Sequence, residues 1–345
     1  MQQIENTLYV MTPDAYVHLE NNTVRVDVER EKRLQVPLHH LGGIVCFGNI
    51  LISPALMHRC ADGGVALVLL DRNGRFKARL EGPVSGNILL RQAHHQQAGE
   101  IDFALDAARA MVAGKLKNAR QVILRGAREA ADDSDSANLS RTADSLGSAI
   151  RRLTEASDLD SVRGIEGEAA RNYFETVPCL IRRESRDVFN MNNGRTRRPP
   201  RDRLNALLSF FYSMLMNDCR SAVEAVGLDP QLGFLHAVRP GRAALALDLM
   251  EEFRSVVADR LALTLINRGQ VRPEDFDERT GGAVMLSESG RRAAVMAYQE
   301  RKQEELMHPL LETKVKVGLL PFLQARLLAR TVRGDMEGYL PFLAR

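Results

Sequence analysis

Glu166 sits where a carboxylate is costly. Residues 163–174 read as a helix. On it Glu166, Ala169, Ala170 and Tyr173 recur at i, i+3, i+4 and i+7, so the acid shares a face with small and aromatic residues. An ionised Glu on an apolar stripe needs a compensating partner or a metal. Two segments downstream offer co-ligands, Gly233-Phe-Leu-His236 and Leu247-Asp-Leu-Met-Glu-Glu-Phe253. Acids and an imidazole drawn from three stretches of chain describe a divalent-metal site. Each member also has a plainer reading. Asp248 and Glu251, with Glu252, Ser255 and Asp259, form the polar side of an amphipathic helix and read as a solvated acidic face. His236 reads as a hydrogen-bonded loop residue, and Glu166 as the partner of an arginine in the Arg182–Arg203 cluster. Asn205, Leu208 and Tyr212 at i, i+3 and i+7 put two polar groups on an inward stripe, where they need partners of their own.

The arginines are concentrated. From Arg182 to Arg203 there are eight arginines and no lysine against three acids, a net of +5, although the whole chain carries only +3. Arginine suits bidentate contact with phosphate, so the segment reads as a nucleic-acid surface or, more plainly, as a solvated loop. Four scattered cysteines, Cys46, Cys60, Cys179 and Cys219, form no C-x-x-C pair and read as small buried hydrophobes rather than zinc ligands or disulfides. The first residues lack the pattern of a signal peptide, and no apolar run approaches the roughly 20 residues that span a bilayer. The expected location is the cytoplasm, with no membrane partner.

The elements that must hold these residues fall into two regimes. Residues 1–84 alternate with period two, as in Val24, Val26 and Val28, and in Phe76, Ala78 and Leu80. The run Val65–Leu70 reads as a strand covered on both sides. Ser53 to Ala61 reads as one short helix, capped by Ser53 with Pro54 at its first position. After a hinge at 82–86 the pattern turns helical. One long or broken helix covers 87–129, and a polar linker covers 132–138. Helices follow near 142–156, 161–176, 202–226, 243–268, 286–306 and 311–332, with Asp202 capping the third of these. The expected fold is α+β and multidomain: a β-sandwich-like domain (1–84) followed by a larger all-α catalytic domain (85–345).

Gly164-Ile-Glu-Gly-Glu-Ala-Ala170, Asp202-Arg-Leu-Asn-Ala-Leu-Leu208, Gly227-Leu-Asp-Pro-Gln-Leu-Gly-Phe-Leu-His236 and the run from Pro240 to Arg254 closely resemble the family of CRISPR-associated protein one. This is the spacer-acquisition integrase of prokaryotic adaptive immunity. Gly82-Pro-Val-Ser-Gly-Asn87 and the tail segments Leu323-Gln-Ala-Arg326 and Tyr339-Leu-Pro-Phe342 also fit, so the likeness runs along essentially the whole chain, and it is nearest the versions of type I systems. The resemblance implies a β-sheet domain that dimerises and a helical catalytic domain. It implies metal ligation by Glu166, His236 and Glu251, with Asp248 a further candidate ligand one helical turn away. Asn205 and Tyr212 match positions that orient substrate. It also implies a small ferredoxin-like partner bridging two homodimers, and DNA as substrate, both prespacer duplex and repeat.

The chemistry fits those residue types. Breaking and rejoining a phosphodiester needs charge stabilised on phosphate oxygens, and carboxylates with one imidazole suit Mg²⁺ or Mn²⁺. Arg195, Arg197, Arg198, Arg239 and Arg242 are placed to hold the DNA backbone. A 3′-hydroxyl nucleophile makes the reaction strand transfer. Water as nucleophile would make the protein a stand-alone nuclease for branched DNA, and a solvated acidic face would leave a non-catalytic DNA-binding scaffold.

Overall fold

The computed structural model describes residues 6–72, 74, 76–82, 87–191 and 194–344. The chain divides into two compact units, Met1–Ser85 and Gly86–Arg345. Residue 73 of the expected turn at 71–74, and residues 83–86 of the expected hinge, lie outside the described residues.

The first unit is built from two four-stranded sheets. One orders β1 (Asn6–Val10), β5 (Leu41–Phe47), β7 (Ala66–Leu70) and β8 (Phe76–Leu80), with β1, β5 and β7 parallel. The other orders β4 (Glu31–Pro37), β3 (Thr23–Val28), β2 (Tyr16–Glu20) and β6 (Leu51–Ile52). Alternation in β3 buries Val24 and Val26, which join Val17, Ile44, Cys46 and Leu67 in one core fed by both sheets. The β2–β3 hairpin turns through Asn21 and Asn22 at φ +48 and +58, a conformation asparagine tolerates better than most residues. Helix α1 (Pro54–Gly63) covers this core with Leu56 and Cys60. Ser53 caps it by accepting from the Leu56 amide, Pro54 opens it, and Gly64 ends it at φ +67.

The second unit is mainly helical. Its helices are α2 (Ile88–Gly99), α3 (Ile101–Glu129), α4 (Asp133–Glu155), α5 (Leu159–Thr176), α6 (Arg183–Arg186), α7 (Arg203–Ala225), α8 (Ala244–Met250), α9 (Arg260–Asn267), α10 (Glu288–Gln303) and α11 (Leu320–Val332). Long α3 packs along α4 and α5, while α7 packs against α8 and α11. Three expectations are corrected. Residues 132–138 are not a linker: the Ser134 amide donates to the Asp132 side chain, and the acids Asp133 and Asp135 occupy the first turn of α4, where the helix dipole favours negative charge. The unit is not all-α, because β9 (Phe276–Arg279) pairs with β10 (Ala283–Leu286) and β11 (Glu305–His308) with β12 (Thr313–Lys316). The span 243–268 is not one helix either. It breaks at a turn over 251–253 and resumes as a π-helical segment, Arg254–Asp259, before α9. No helix among the described residues is long and apolar enough to cross a membrane.

Candidate metal centre

Glu166 projects from α5, whose start is capped by Asp158 accepting from the Ser161 amide. Ala169, Ala170 and Tyr173 line a cavity with it, the small side chains leaving room beside the acid. His236 enters the same cavity from the loop between α7 and α8, and Glu251 from the end of α8. The cavity holds about 90 Å³. That is the scale of an ion with a few waters, well below the roughly 300 Å³ and more of organic-ligand sites.

Asp248 builds the loop that carries His236. Fully buried in α8, it accepts from the amides of Phe234 (2.7 Å), Leu235 (2.9 Å) and His236 (2.9 Å) and from His236 Nδ1 (2.5 Å). Gly233 permits this approach, since a Cβ there would stand 2.6 Å from Asp248 Oδ2. Arg163 Nε ties the loop to α5 by donating to the Leu235 carbonyl at 2.7 Å. These donors occupy both oxygens of Asp248, which sets it apart from Glu166 and Glu251. It acts on His236 instead. With Nδ1 directed at Asp248, Nε2 is the ring nitrogen that faces Glu251 Oε1, at 3.8 Å.

Glu251 is 3 % exposed. Burial opposes its charge, but the cations Arg254 and Lys115, together with His236, outweigh burial and hold its pKa down at about 2. Arg254 reaches Glu251 Oε1 at 3.0 Å and lies over the Tyr212 ring at 4.8 Å. Lys115, on α3, bonds Glu166 and also stands 2.7 Å from Glu251 Oε2. That second contact is off the hydrogen-bonding direction, so this buried oxygen has no aligned donor. Among the described residues no three His, Cys, Asp or Glu side chains stand at metal-binding spacing. The expected ligands share one cavity, but the Lys115 ammonium is inserted between the two carboxylates. The donor set nevertheless fits a divalent cation, with two carboxylates, one imidazole nitrogen and a stand-in positive charge where the carboxylates meet.

The acidic face expected to be solvated is buried: Asp248, Glu251, Glu252, Ser255 and Asp259 are all at most 3 % exposed. The π-helical segment brings Arg254, Ser255 and Asp259 to one cavity wall, the kind of local widening that recurs at functional sites. Asp259 accepts from Tyr173 Oη (3.0 Å) and Tyr212 Oη (2.7 Å). Burial pushes its pKa up to about 6, against the two hydroxyls and the Arg195 and Arg254 charges, which favour the ionised form. An acid whose folded pKa is raised from 3.8 adds stability that is full below that value and lost as pH rises through 6. Between pH 4 and 7 the protein should lose about 3 kcal/mol relative to Asp259→Asn. Thermal melting of both proteins across that range measures it, and parallel curves would refute the assignment.

The other expected residues divide. The Tyr212 ring lines the cavity, but its hydroxyl is held by Asp259. Asn205 does not line it. Fully buried, it donates to the Gly194 carbonyl and to Asp202 and accepts from Arg195. Arg195 is likewise engaged in internal contacts. Its guanidinium donates to Asn205, Ser209 and the Thr196 carbonyl and lies over the Phe174 and Tyr212 rings. Arg186, Arg201 and Arg203 are tied to Asp135, the Gly281 carbonyl and Glu278 in turn. Arg197 and Arg198 remain exposed, Arg197 at the cavity wall. Arg239 is exposed and Arg242 half-buried, both just beyond His236. A larger cleft of about 1200 Å³ lies between the end of α3 and α9, with Arg125, Arg128, Arg182, Arg183, Arg260 and Arg268 on its walls.

Sequence reasoning missed Lys115. The signal was present, because Ala108, Met111, Val112, Lys115 and Ala119 make one apolar stripe of α3 with a charge inside it, the same anomaly that singles out Glu166.

The family model for CRISPR associated protein Cas1 matches residues 8–300. The chain is similar to CRISPR-associated endonuclease Cas1 1 of Moorella thermoacetica, at 53% identity over 345 residues and 100% of both chains. It is also similar to CRISPR-associated endonuclease Cas1 1 of Chlorobaculum tepidum, at 47% identity with the same coverage. In fold it resembles a solved CAS1 protein from Thermotoga maritima, with a TM-score of 0.80 at 23% identity over 95% of this chain and 97% of that one. With a family model covering most of its length and full-length relatives at about half identity, this chain belongs to the CRISPR-associated protein Cas1 family.

Proposed function

We propose that this chain is the metal-dependent DNA endonuclease and integrase of CRISPR adaptation, which joins short DNA into a repeat array by attack of a 3′-hydroxyl on a phosphodiester. The observation that carries the reading is the convergence of Glu166, Glu251 and His236 Nε2 on one small cavity that already holds a cationic side chain between the two acids. Family membership supports it, as do full-length relatives that are themselves CRISPR-associated endonucleases. Glu166, Glu251 and His236 would hold Mg²⁺ or Mn²⁺, which when bound supplies Lewis-acid polarisation of the phosphate and a more acidic attacking hydroxyl. Asp248 fixes the imidazole tautomer. Arg197, Arg198, Arg239 and Arg242 hold the DNA backbone largely without regard to sequence. The sheet unit forms the homodimer, and a small ferredoxin-like protein bridges two dimers.

The test offers the protein, Mn²⁺ and a short duplex with free 3′-hydroxyls together with a repeat-bearing target. Joined product supports integration, and nicked target alone would make the protein a nuclease. A second expectation concerns the exposed arginines. Replacing Arg197 and Arg198 together by Ala should weaken DNA binding and reduce the slope of log affinity against log salt by about 2 units. Arg195→Ala should instead lower thermal stability, because its guanidinium closes a structural network. A salt slope unchanged by the double substitution would return the pair to a solvated loop.

A further inference from the structure

The tail of the chain reaches the metal-site turn. Residues 339–344 have no regular secondary structure, yet Tyr339 is 5 % exposed and Phe342 is fully buried. Their polar atoms converge on Glu252, the neighbour of Glu251. Tyr339 Oη donates to Glu252 Oε1, the Phe342 amide donates to Oε2 at 2.6 Å, and Gln324 Nε2 donates to Oε2 at 3.0 Å. Gln324 also donates to the Leu340 carbonyl at 3.0 Å. On the other side Asn118 of α3 donates to the carbonyls of Glu252 and Phe342, each at 2.8 Å, and accepts from the Ala344 amide at 2.8 Å. One asparagine thus bridges the turn and the tail.

Gly114 makes the seat. A Cβ at that position would stand 2.6 Å from Pro341 Cβ, a distance real side chains do not tolerate, and the proline ring cannot turn aside. The turn over 251–253 joins α8 to the π-helical segment through backbone bonds from the Glu251 amide to the Asp248 carbonyl, from the Phe253 amide to the Met250 carbonyl and from the Val257 amide to the Phe253 carbonyl, and the tail adds contacts from outside the segment. The Phe253 and Phe342 rings, with centroids 5.9 Å apart, extend the same contact into the core.

We propose that residues 339–344 form a strap that positions Glu251, with Gly114, Asn118, Gln324 and Glu252 as its anchorage. The tail motif Tyr339-Leu-Pro-Phe342 and the Gln324 of Leu323-Gln-Ala-Arg326 then have one shared task, to fix the Glu251–Phe253 turn so that the Glu251 carboxylate faces Glu166 and His236. These are positioning residues and touch no reacting atom. The inference rests on the metal-centre reading above.

Gly114→Ala unseats the strap without removing a polar group, and Tyr339→Phe removes a single hydroxyl from it. Mn²⁺ affinity is measured by titration calorimetry well below the melting temperature, alongside amide hydrogen exchange and DNA binding in EDTA. The expected result is a rise of about tenfold or more in the Mn²⁺ Kd for Gly114→Ala, and a smaller rise for Tyr339→Phe. The Phe342, Ala344 and Phe253 amides should exchange faster in Gly114→Ala, with metal-free DNA binding unchanged. If those tail amides exchange faster while the Mn²⁺ Kd stays within twofold of the parent, the strap is only structural and the proposal is overturned. Should Gly114→Ala not fold, an unchanged Kd in Tyr339→Phe overturns it as well. A parent protein that takes up no Mn²⁺ overturns the metal-centre reading, and the strap's role with it.

Discussion

Glu166→Ala should lower the rate of strand transfer about 10³-fold while leaving the protein folded and able to bind DNA. The expectation follows from its surroundings. Its side chain is 25% exposed, so removing it opens no buried cavity, and Lys115 keeps its other partner, Glu251. What disappears is half of the carboxylate pair in the cavity. His236→Ala should cost a similar factor, because Nε2 is the nitrogen turned toward Glu251. Counting joined DNA ends against time in saturating Mn²⁺ measures both. Activity above about a tenth of the parent in either variant would mean that chemistry does not pass through this cavity.

Asp248→Ala should act differently, through the fold. The aspartate is fully buried and accepts from three consecutive amides. Each amide left without an acceptor costs on the order of 1 kcal/mol, so the loss is about 3 kcal/mol, or roughly 6–10 °C in melting temperature. Strand transfer should also fall, by about 10- to 100-fold, because His236 loses the partner that sets its tautomer and direction. Melting and activity read together separate the roles. Glu166, the acid proposed to hold the cation, should lose activity with little change in melting when replaced, whereas Asp248 should lose both. An Asp248→Ala protein as stable as the parent would return Asp248 to the ligand set.

The site was legible where a charge violated a periodic pattern. Glu166 stood out among Ala169, Ala170 and Tyr173 for that reason, and the cap and first turn of α1 were readable from Ser53 and Pro54. The acidic side of residues 248–259 was harder. A helical stripe shows that two sides differ, but not that the polar side is buried as well, and the π-helical segment breaks the period on which the stripe depends. Hydrogen-bond partners were not legible either. Arg195, Arg186 and Arg203 look like phosphate contacts in a basic run until their partners, far away in sequence or lying on the backbone, are seen. The hairpin β9–β10 had a local signal in Gly281 and Gly282, at φ +90 and +73. Its four-residue strands are too short to announce themselves by alternation.

A crystal grown with Mn²⁺ and measured at the manganese absorption edge gives the sharpest test. One anomalous peak is expected, contacted by Glu166, Glu251 and His236 Nε2, with the Lys115 ammonium displaced from between the acids and Asp248 still bonded to the His236 loop. No peak in this cavity, or a peak held by Asp248 in place of Glu166, would contradict the metal-centre reading.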